Sequence, residues 1–247
     1  MIRILFGLII FVAFSCNPKK VYREVVRTDK IDEDIILFNI GNISRAEIGE
    51  LLIGIEKCEP LIVGIDILFL ENKKSFDDSI LTEALQKVSN DIIAYKFDSN
   101  EREERSIDRF RKFASEEGFI NAEEKDGVLS HFTPVKEVGG KLHESFALKI
   151  SKQWKPEVEL NLTANKSIPI LFQRRLQQYY YFVREDLHDK EVCSLLKNKI
   201  ILVGFLGPGD EDKHFTPIRS REEEIEGKPD TYGLVIIANE IRTILEN

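Results

Sequence analysis

The chain has 247 residues, 43% hydrophobic and 32% charged, with only 14 Gly and 8 Pro; this builds a folded core and excludes collagen-like, low-complexity and polytopic membrane proteins. Thirty-five basic against 43 acidic residues give a net charge of −8; with no basic cluster to neutralise phosphates, this argues against nucleic acid as a partner. Three cysteines and four histidines are too few for a zinc framework or a disulfide-stapled small fold, so neither a metal nor a cofactor is expected.

Met1 to Arg3 is a short cationic start, and Ile4 to Phe14 is an unbroken apolar run. A bilayer-spanning helix needs roughly 20 apolar residues, so this run reads instead as the core of a signal peptide. Small Ala13 and Ser15 lie just before Cys16. Residues 1–16 therefore resemble a bacterial lipoprotein signal with Cys16 as the lipidated residue, although Phe14 departs from the strict motif. An uncleaved anchor helix is the alternative. Residues 17–33 are charged, lack an apolar period and read as a tether. Both versions place the body on the periplasmic side of a bacterial membrane.

Residues 34–247 are read as one domain. Ile35 to Gly41 is a β-branched apolar run, a buried strand. Ser44-Arg45-Ala46-Glu47 is a capping box, and Ile48, Leu51, Leu52 and Ile55 behind it mark one apolar helical face. Leu61 to Phe69 is a second buried strand, so the first unit is βαβ with parallel strands. Asp77 and Asp78 start a helix through Val88, and Asp91 to Phe97 is a third strand. Residues 99–117 are dense in charge and predict a solvated helix or insertion. Shorter strands follow over 127–138 and 141–143, with a Gly139-Gly140 turn. A helix over 144–153, strands over 168–172 and 179–183, and a helix over 185–196 come next. Lys199 to Phe205 is the last buried strand, followed by a loop to about Thr231 and a closing helix over 235–245. The fold class is α/β: a single three-layer domain with a mainly parallel central sheet and helices on both faces.

Several segments together resemble the type-two CHASE domain, an extracytoplasmic sensory module of bacterial receptors. They are Val63-Gly64-Ile65-Asp66-Ile67-Leu68-Phe69, Asp77-Asp78 heading a helix, Lys199 to Gly204, Phe215-Thr216-Pro217 and Tyr232 to Asn239. They stand in the family's order and span residues 33–246. The resemblance implies stimulus sensing. Typical members have a transmembrane helix before the domain and continue into transmembrane helices and an output domain. A stand-alone exported sensor and a piece of a longer receptor both remain open.

In a parallel sheet, ligands sit at the carboxyl ends of the strands. Asp66 lies in the second strand, and the loop leaving Lys199–Phe205 carries Asp212, His214 and Thr216. These four are the candidate ligand-binding residues, with Phe215 and Pro217 anchoring the loop, and Asp66 is expected nearer His214 than His131 or His143. The leading reading is a membrane-anchored sensory domain without catalytic output, binding a small molecule or a membrane receptor protein; a homodimer also stays open. The alternative is an exported hydrolytic or metal-dependent enzyme using Asp66, Asp212 and His214. Asn239, among apolar residues of the closing helix, is expected to pin that helix through backbone hydrogen bonds. Gly204-Phe205-Leu206-Gly207-Pro208-Gly209 lacks the helix of a dinucleotide loop. Cys58 and Cys193 both precede buried strands and are expected as free buried thiols, because a bridge needs Cα atoms within roughly 7 Å.

Overall fold

The computed structural model describes residues 29–157, 161–218 and 227–246; the expected lipidation site Cys16 and most of the tether lie outside them. The strands are β1 (Asp32–Asn39), β2 (Ile62–Ile65), β3 (Asp91–Phe97), β4 (Glu103–Glu104), β5 (Glu116–Phe119), β6 (Ala122–Lys125), β7 (Val128–Phe132), β8 (Val135–Val138), β9 (Lys141–Glu144), β10 (Ile168–Pro169), β11 (Tyr179–Phe182), β12 (Ile200–Gly204), β13 (Lys213–His214) and β14 (Thr231–Tyr232). The described helices are α1 (Arg45–Glu56), α2 (Ser75–Leu85), α3 (Asp108–Arg111), α4 (Phe146–Trp154), α5 (Lys190–Leu196) and α6 (Gly233–Glu246).

Seven strands form the main sheet in the order β11-β1-β12-β2-β3-β4, with β5 also paired to β3. Every pairing is parallel except that of β4. The α/β class with a mostly parallel sheet is therefore as the sequence indicates. Strand β12 lies between β1 and β2, pairing Leu37 with Leu202 and Leu202 with Gly64. Side chains alternate across the pleat. Ile36, Phe38, Val63, Ile65, Ile201 and Val203 face one core with α1 and α2, while Ile35, Leu37, Ile62, Ile200 and Leu202 face another with α4 and α6. Burial on both faces explains why these strands read as continuous apolar runs.

Polar contacts fix the layers. Ser44 and Glu47 form the capping box at the start of α1. Arg45 donates to the buried Asp78 of α2 at 2.6 Å, so Asp78 holds two helices together as well as standing in the first turn of one. Asn239, wholly buried in α6, accepts from the Gln173 and Arg174 amides and donates to the Arg174 and Val235 carbonyls. It therefore pins α6 to the segment before β11. At the other end of α6, Arg242 pairs with Asp32 and Asp34 at the start of β1.

Two segments depart from the sequence reading. Strand β2 stops at Ile65. The apolar residues beyond it are covered by side chains and not by a ladder: Phe69 stacks against Phe110 at 5.3 Å, and its amide donates to Ser106. The charged segment 99–117 is no solvated helix. It contributes β4, one helical turn and the first half of β5, whose charges pair laterally, as in Arg105 with Glu103 and Glu117. Lateral pairing leaves no apolar period to read.

The expectation of free thiols is overturned: Cys58 and Cys193 form a disulfide, with Cα atoms 5.0 Å apart. The connections into β2 and β12 run side by side because those strands are neighbours, and the Asn198 amide donates to the Glu59 carbonyl at 3.0 Å. Neither sequence position reveals that approach. The bridge closes a loop across a sequence separation of 135, which restricts the unfolded chain strongly. Reduction, or replacing both cysteines with Ser, is expected to cost roughly 2–5 kcal/mol, read from the urea midpoint of the oxidised and reduced protein. An unchanged midpoint would show that the bridge does not restrain the fold.

Candidate functional site

The carboxyl ends of β1, β12 and β2 bring Asn39, Gly204 and Asp66 to one edge. Asn39 and Gly204 are register partners, and the Asp66 amide donates to the Val203 carbonyl at 2.9 Å. Asn39 shapes the loop that follows β12. Its Oδ1 accepts from the Gly41 and Leu206 amides, and its Nδ2 donates to the Gly207 carbonyl. The loop then returns as β13, which pairs with β14 directly ahead of α6.

This returning loop carries three of the four residues expected at the site. Asp212 accepts the Gly233 amide through its backbone carbonyl at 3.0 Å. Its carboxylate also lies against the first residue of α6: a Cβ on Gly233 would sit 2.9 Å from Oδ2. Gly233 is therefore what lets a carboxylate approach the helix start, where the macrodipole favours negative charge. His214 Nε2 lies 3.9 Å from Asp212 Oδ1. Thr216 is fully buried, and its hydroxyl meets Asp230 and Thr231. It braces the β13–β14 ladder from beneath. The Phe215 carbonyl accepts the Leu129 amide, tying the loop to β7.

Asp66 lies on the α4/α6 side: a Cβ on Gly204 would sit 3.4 Å from Asp66 Cβ and 2.9 Å from Leu234 Cδ1 of α6. Surrounding protein pushes its carboxyl up to about 7, and the charge of Asp212 adds to the rise. Burial also raises Asp212, against the opposing pull of His214. A third carboxyl belongs to this group. Glu240 of α6 is 4% exposed, and burial, with the charge of Asp66, raises it well above the ordinary range. The sequence reading missed Glu240. Its signal was a carboxylate inside an apolar helix, next to the Asn239 that was noticed.

No hydrogen bond or ion pair among the described residues joins Asp66 to His214; His214 reaches the group through Asp212. The other histidines have separate partners. His143 Nδ1 lies 2.9 Å from the Tyr95 hydroxyl and 3.4 Å from Glu103, while His131 is 2.9 Å from Ser130. A cavity of about 230 Å³ opens beside the site, lined by Lys213, Thr231, Tyr232 and Val235 together with Arg175 and Ile218. The three acids do not line it. Residues 213 and 214 point to opposite sides of β13, so the cavity and the His214–Asp212 pair occupy opposite faces of that ladder.

The raised acids make stability depend on pH in a fixed direction. Asp66 holds its proton in the folded protein up to about 7, from an ordinary value of 3.8, whereas the unfolded chain releases it earlier. Its contribution is present below about pH 4 and is lost as pH rises towards 7. Asp66→Asn is expected to remove that loss and to raise stability at pH 8 by on the order of 2 kcal/mol. Urea midpoints of both proteins at pH 5 and pH 8 check this; equal pH slopes would show that Asp66 ionises normally.

The CHASE2 domain family matches residues 20–247. No curated protein and no solved structure matches the chain. The matched span takes in all of the described strands and helices, including the carboxyl edge and the closing helix. The chain belongs to the CHASE2 domain family, whose members are extracytoplasmic sensory domains.

Proposed function

We propose that the chain is a membrane-anchored periplasmic sensor that binds its ligand at the carboxyl edge of the sheet and has no catalytic output of its own. The observation that carries this reading is the meeting of Asp66 and Asp212 at the edge where parallel sheets bind ligands, with His214 beside Asp212. Side chains with raised acids, gathered in one place, are more common at working sites than elsewhere.

The placement of the chain ends supports an anchor at the opposite edge. β1 begins at the amino edge, and Arg242 holds the last turns of α6 against Asp32 there. An anchor ahead of β1 leaves the carboxyl edge facing away from the membrane and open to diffusing ligands. Among the described residues, no helix is long and apolar enough to cross a membrane. This reading puts the anchor in the N-terminal segment, with Cys16 as the lipidated residue. Cys16→Ser is expected to move the protein from the membrane fraction to the soluble periplasm, followed by immunoblot. Retention of Cys16→Ser in the membrane with its N-terminus intact would assign the segment to an anchor helix.

The sensory reading is favoured over an exported enzyme by the arrangement of the same residues. A hydrolase relay needs hydrogen bonds between its base and its acid, and none joins His214 to Asp66. Among the described residues, no group of three side chains can hold a metal ion. The full chain, purified from membranes and sprayed natively in a mass spectrometer, is expected to carry a small molecule. Asp66→Ala and His214→Ala should lose it while keeping their circular dichroism. Equal ligand retention in both variants would remove the carboxyl edge as the site.

A further inference from the structure

The β8–β9 hairpin reaches the body of the domain through a few side chains, one of them a histidine. Gly139 and Gly140 both have positive φ, 58° and 78°, the two-residue turn that folds Val135–Val138 back on Lys141–Glu144. Among the described residues the hairpin pairs with no other strand, so other contacts must hold it. Asn165 holds its first strand through bonds to Val135 and Glu137. Val138 packs on the buried rings of Tyr95, Phe97 and Phe119, a cluster separate from the two main cores. Lys136 pairs with Glu101 at 3.1 Å and stands 5.0 Å from the centre of the Phe97 ring.

From β9, the buried His143 enters the same cluster. Its Nδ1 lies 2.9 Å from the Tyr95 hydroxyl, and its ring meets Phe97 edge-on with centroids 5.1 Å apart. Two residues on, Ser145 caps α4 by accepting the Leu148 amide, and its own amide donates to the Pro134 carbonyl at the base of the hairpin. His143 thus joins the hairpin, the end of β3 and the start of α4.

A neutral ring suits this place and a charged one does not. Burial pushes the Tyr95 hydroxyl up to about 12, so it keeps its proton, and Nδ1 is its hydrogen-bond partner. The neutral ring can accept that proton, whereas an imidazolium has no acceptor nitrogen. The surrounding charges oppose a proton as well. Lys136 is the register partner of His143, and like charges directly opposite one another in a ladder repel. Lys141 stands two residues earlier on β9, and Arg105 lies over the Tyr95 ring at 3.6 Å. The nearby acids are already matched. Glu103 is 3.4 Å from Nδ1 but pairs with Arg105 at 2.6 Å, and Glu117 of β5 pairs with Arg105 and Arg111. Burial, with Lys141, Arg105 and Lys136, therefore holds the ring below its ordinary 6.5 against the pull of Glu103.

We propose that the hairpin is an acid-sensitive latch: protonation of His143 undocks β9 from Tyr95, Phe97 and Phe119 and loosens the start of α4. The proton is then a stimulus in its own right, and the latch needs none of Asp66, Asp212 or His214. The stabilising contribution of the neutral ring is whole above pH 6.5 and is lost as pH falls through the lower value of the folded protein. Asp66 acts in the opposite direction, because acid restores its contribution. Loosening in acid confined to the hairpin therefore separates the two.

Hydrogen exchange of the full chain in detergent, read by mass spectrometry at pH 7 and pH 5 and corrected for the intrinsic pH dependence of amides, tests the latch. Residues 135–144 are expected to exchange about tenfold faster at pH 5, the change given by one pH unit between folded and unfolded titration, while β1 and β12 stay protected. His143→Asn puts an acceptor oxygen near the place of Nδ1 and takes up no proton, so its hairpin is expected to exchange equally at both pH values. Tyr95→Phe removes the partner of the neutral ring and should move the His143 titration, followed by NMR of its ring protons, to higher pH. Equal exchange of the wild-type hairpin at both pH values overturns the inference, as does the same acid loosening in His143→Asn. Slower exchange in acid also overturns it, by showing that Glu103 captures the imidazolium. Loss of the response in His131→Asn would place the titrating group on β7 and overturn it too. If His143→Asn fails to fold, Tyr95→Phe decides, and an unmoved His143 titration rejects the latch.

Discussion

The rest of the structure depends on the insertion of β12 between β1 and β2. Parallel strands cannot be joined by a tight turn, so β1 and β2 meet only through α1 and leave a gap that a much later segment fills. That strand is buried on both faces, with Ile200 through Val203 inaccessible to solvent, and it supplies the ladder for both of its neighbours. Its position fixes what lies at each end. At the amino end, the approach of the two incoming connections brings Cys58 to Cys193. At the carboxyl end, the loop leaving Gly204 passes directly over Asn39 and Asp66.

The polar wiring divides along the same axis. Towards the amino edge, charges are matched: Arg242 meets Asp32 and Asp34, and Lys197 pairs with Glu59. Towards the carboxyl edge, the backbone is well satisfied by Asn39 and by the β13–β14 ladder, but the carboxyls are not. Burial raises Asp66, Asp212 and Glu240 together. A fold selected only for stability has no use for such a group, since apolar replacements of similar volume are often neutral or stabilising. The imbalance sits where parallel sheets place their ligands, on a loop tied to the first turn of α6. Because α6 runs from that edge to the pair of Arg242 with Asp32, one rigid element touches both the candidate site and the chain's first strand. In the proposed sensor, this connection joins the ligand edge to the anchored edge.

Much of the fold was legible in the sequence. The apolar runs at 35–41, 61–69, 91–97 and 199–205 read as buried strands, the second running past the strand's end at Ile65, and the capping box at Ser44 and Glu47 read as a helix start; local physics decides these, because the apolar runs and the capping residues are contiguous in the chain. The edge that carries the candidate site was also legible, since right-handed crossovers put all carboxyl ends together. Asp66, Asp212 and His214 could thus be named before their distances were known. What only the tertiary structure decided were contacts between distant segments. The disulfide and the pairing of Arg45 with Asp78 join residues from different crossovers. Sequence spacing carries no information about them, because a parallel sheet sets its strand order by packing and not by chain order. The β5 strand was hidden for a related reason: its charges are neutralised by partners such as Arg105 and Lys149 from other elements, which erases the apolar alternation that would mark a strand.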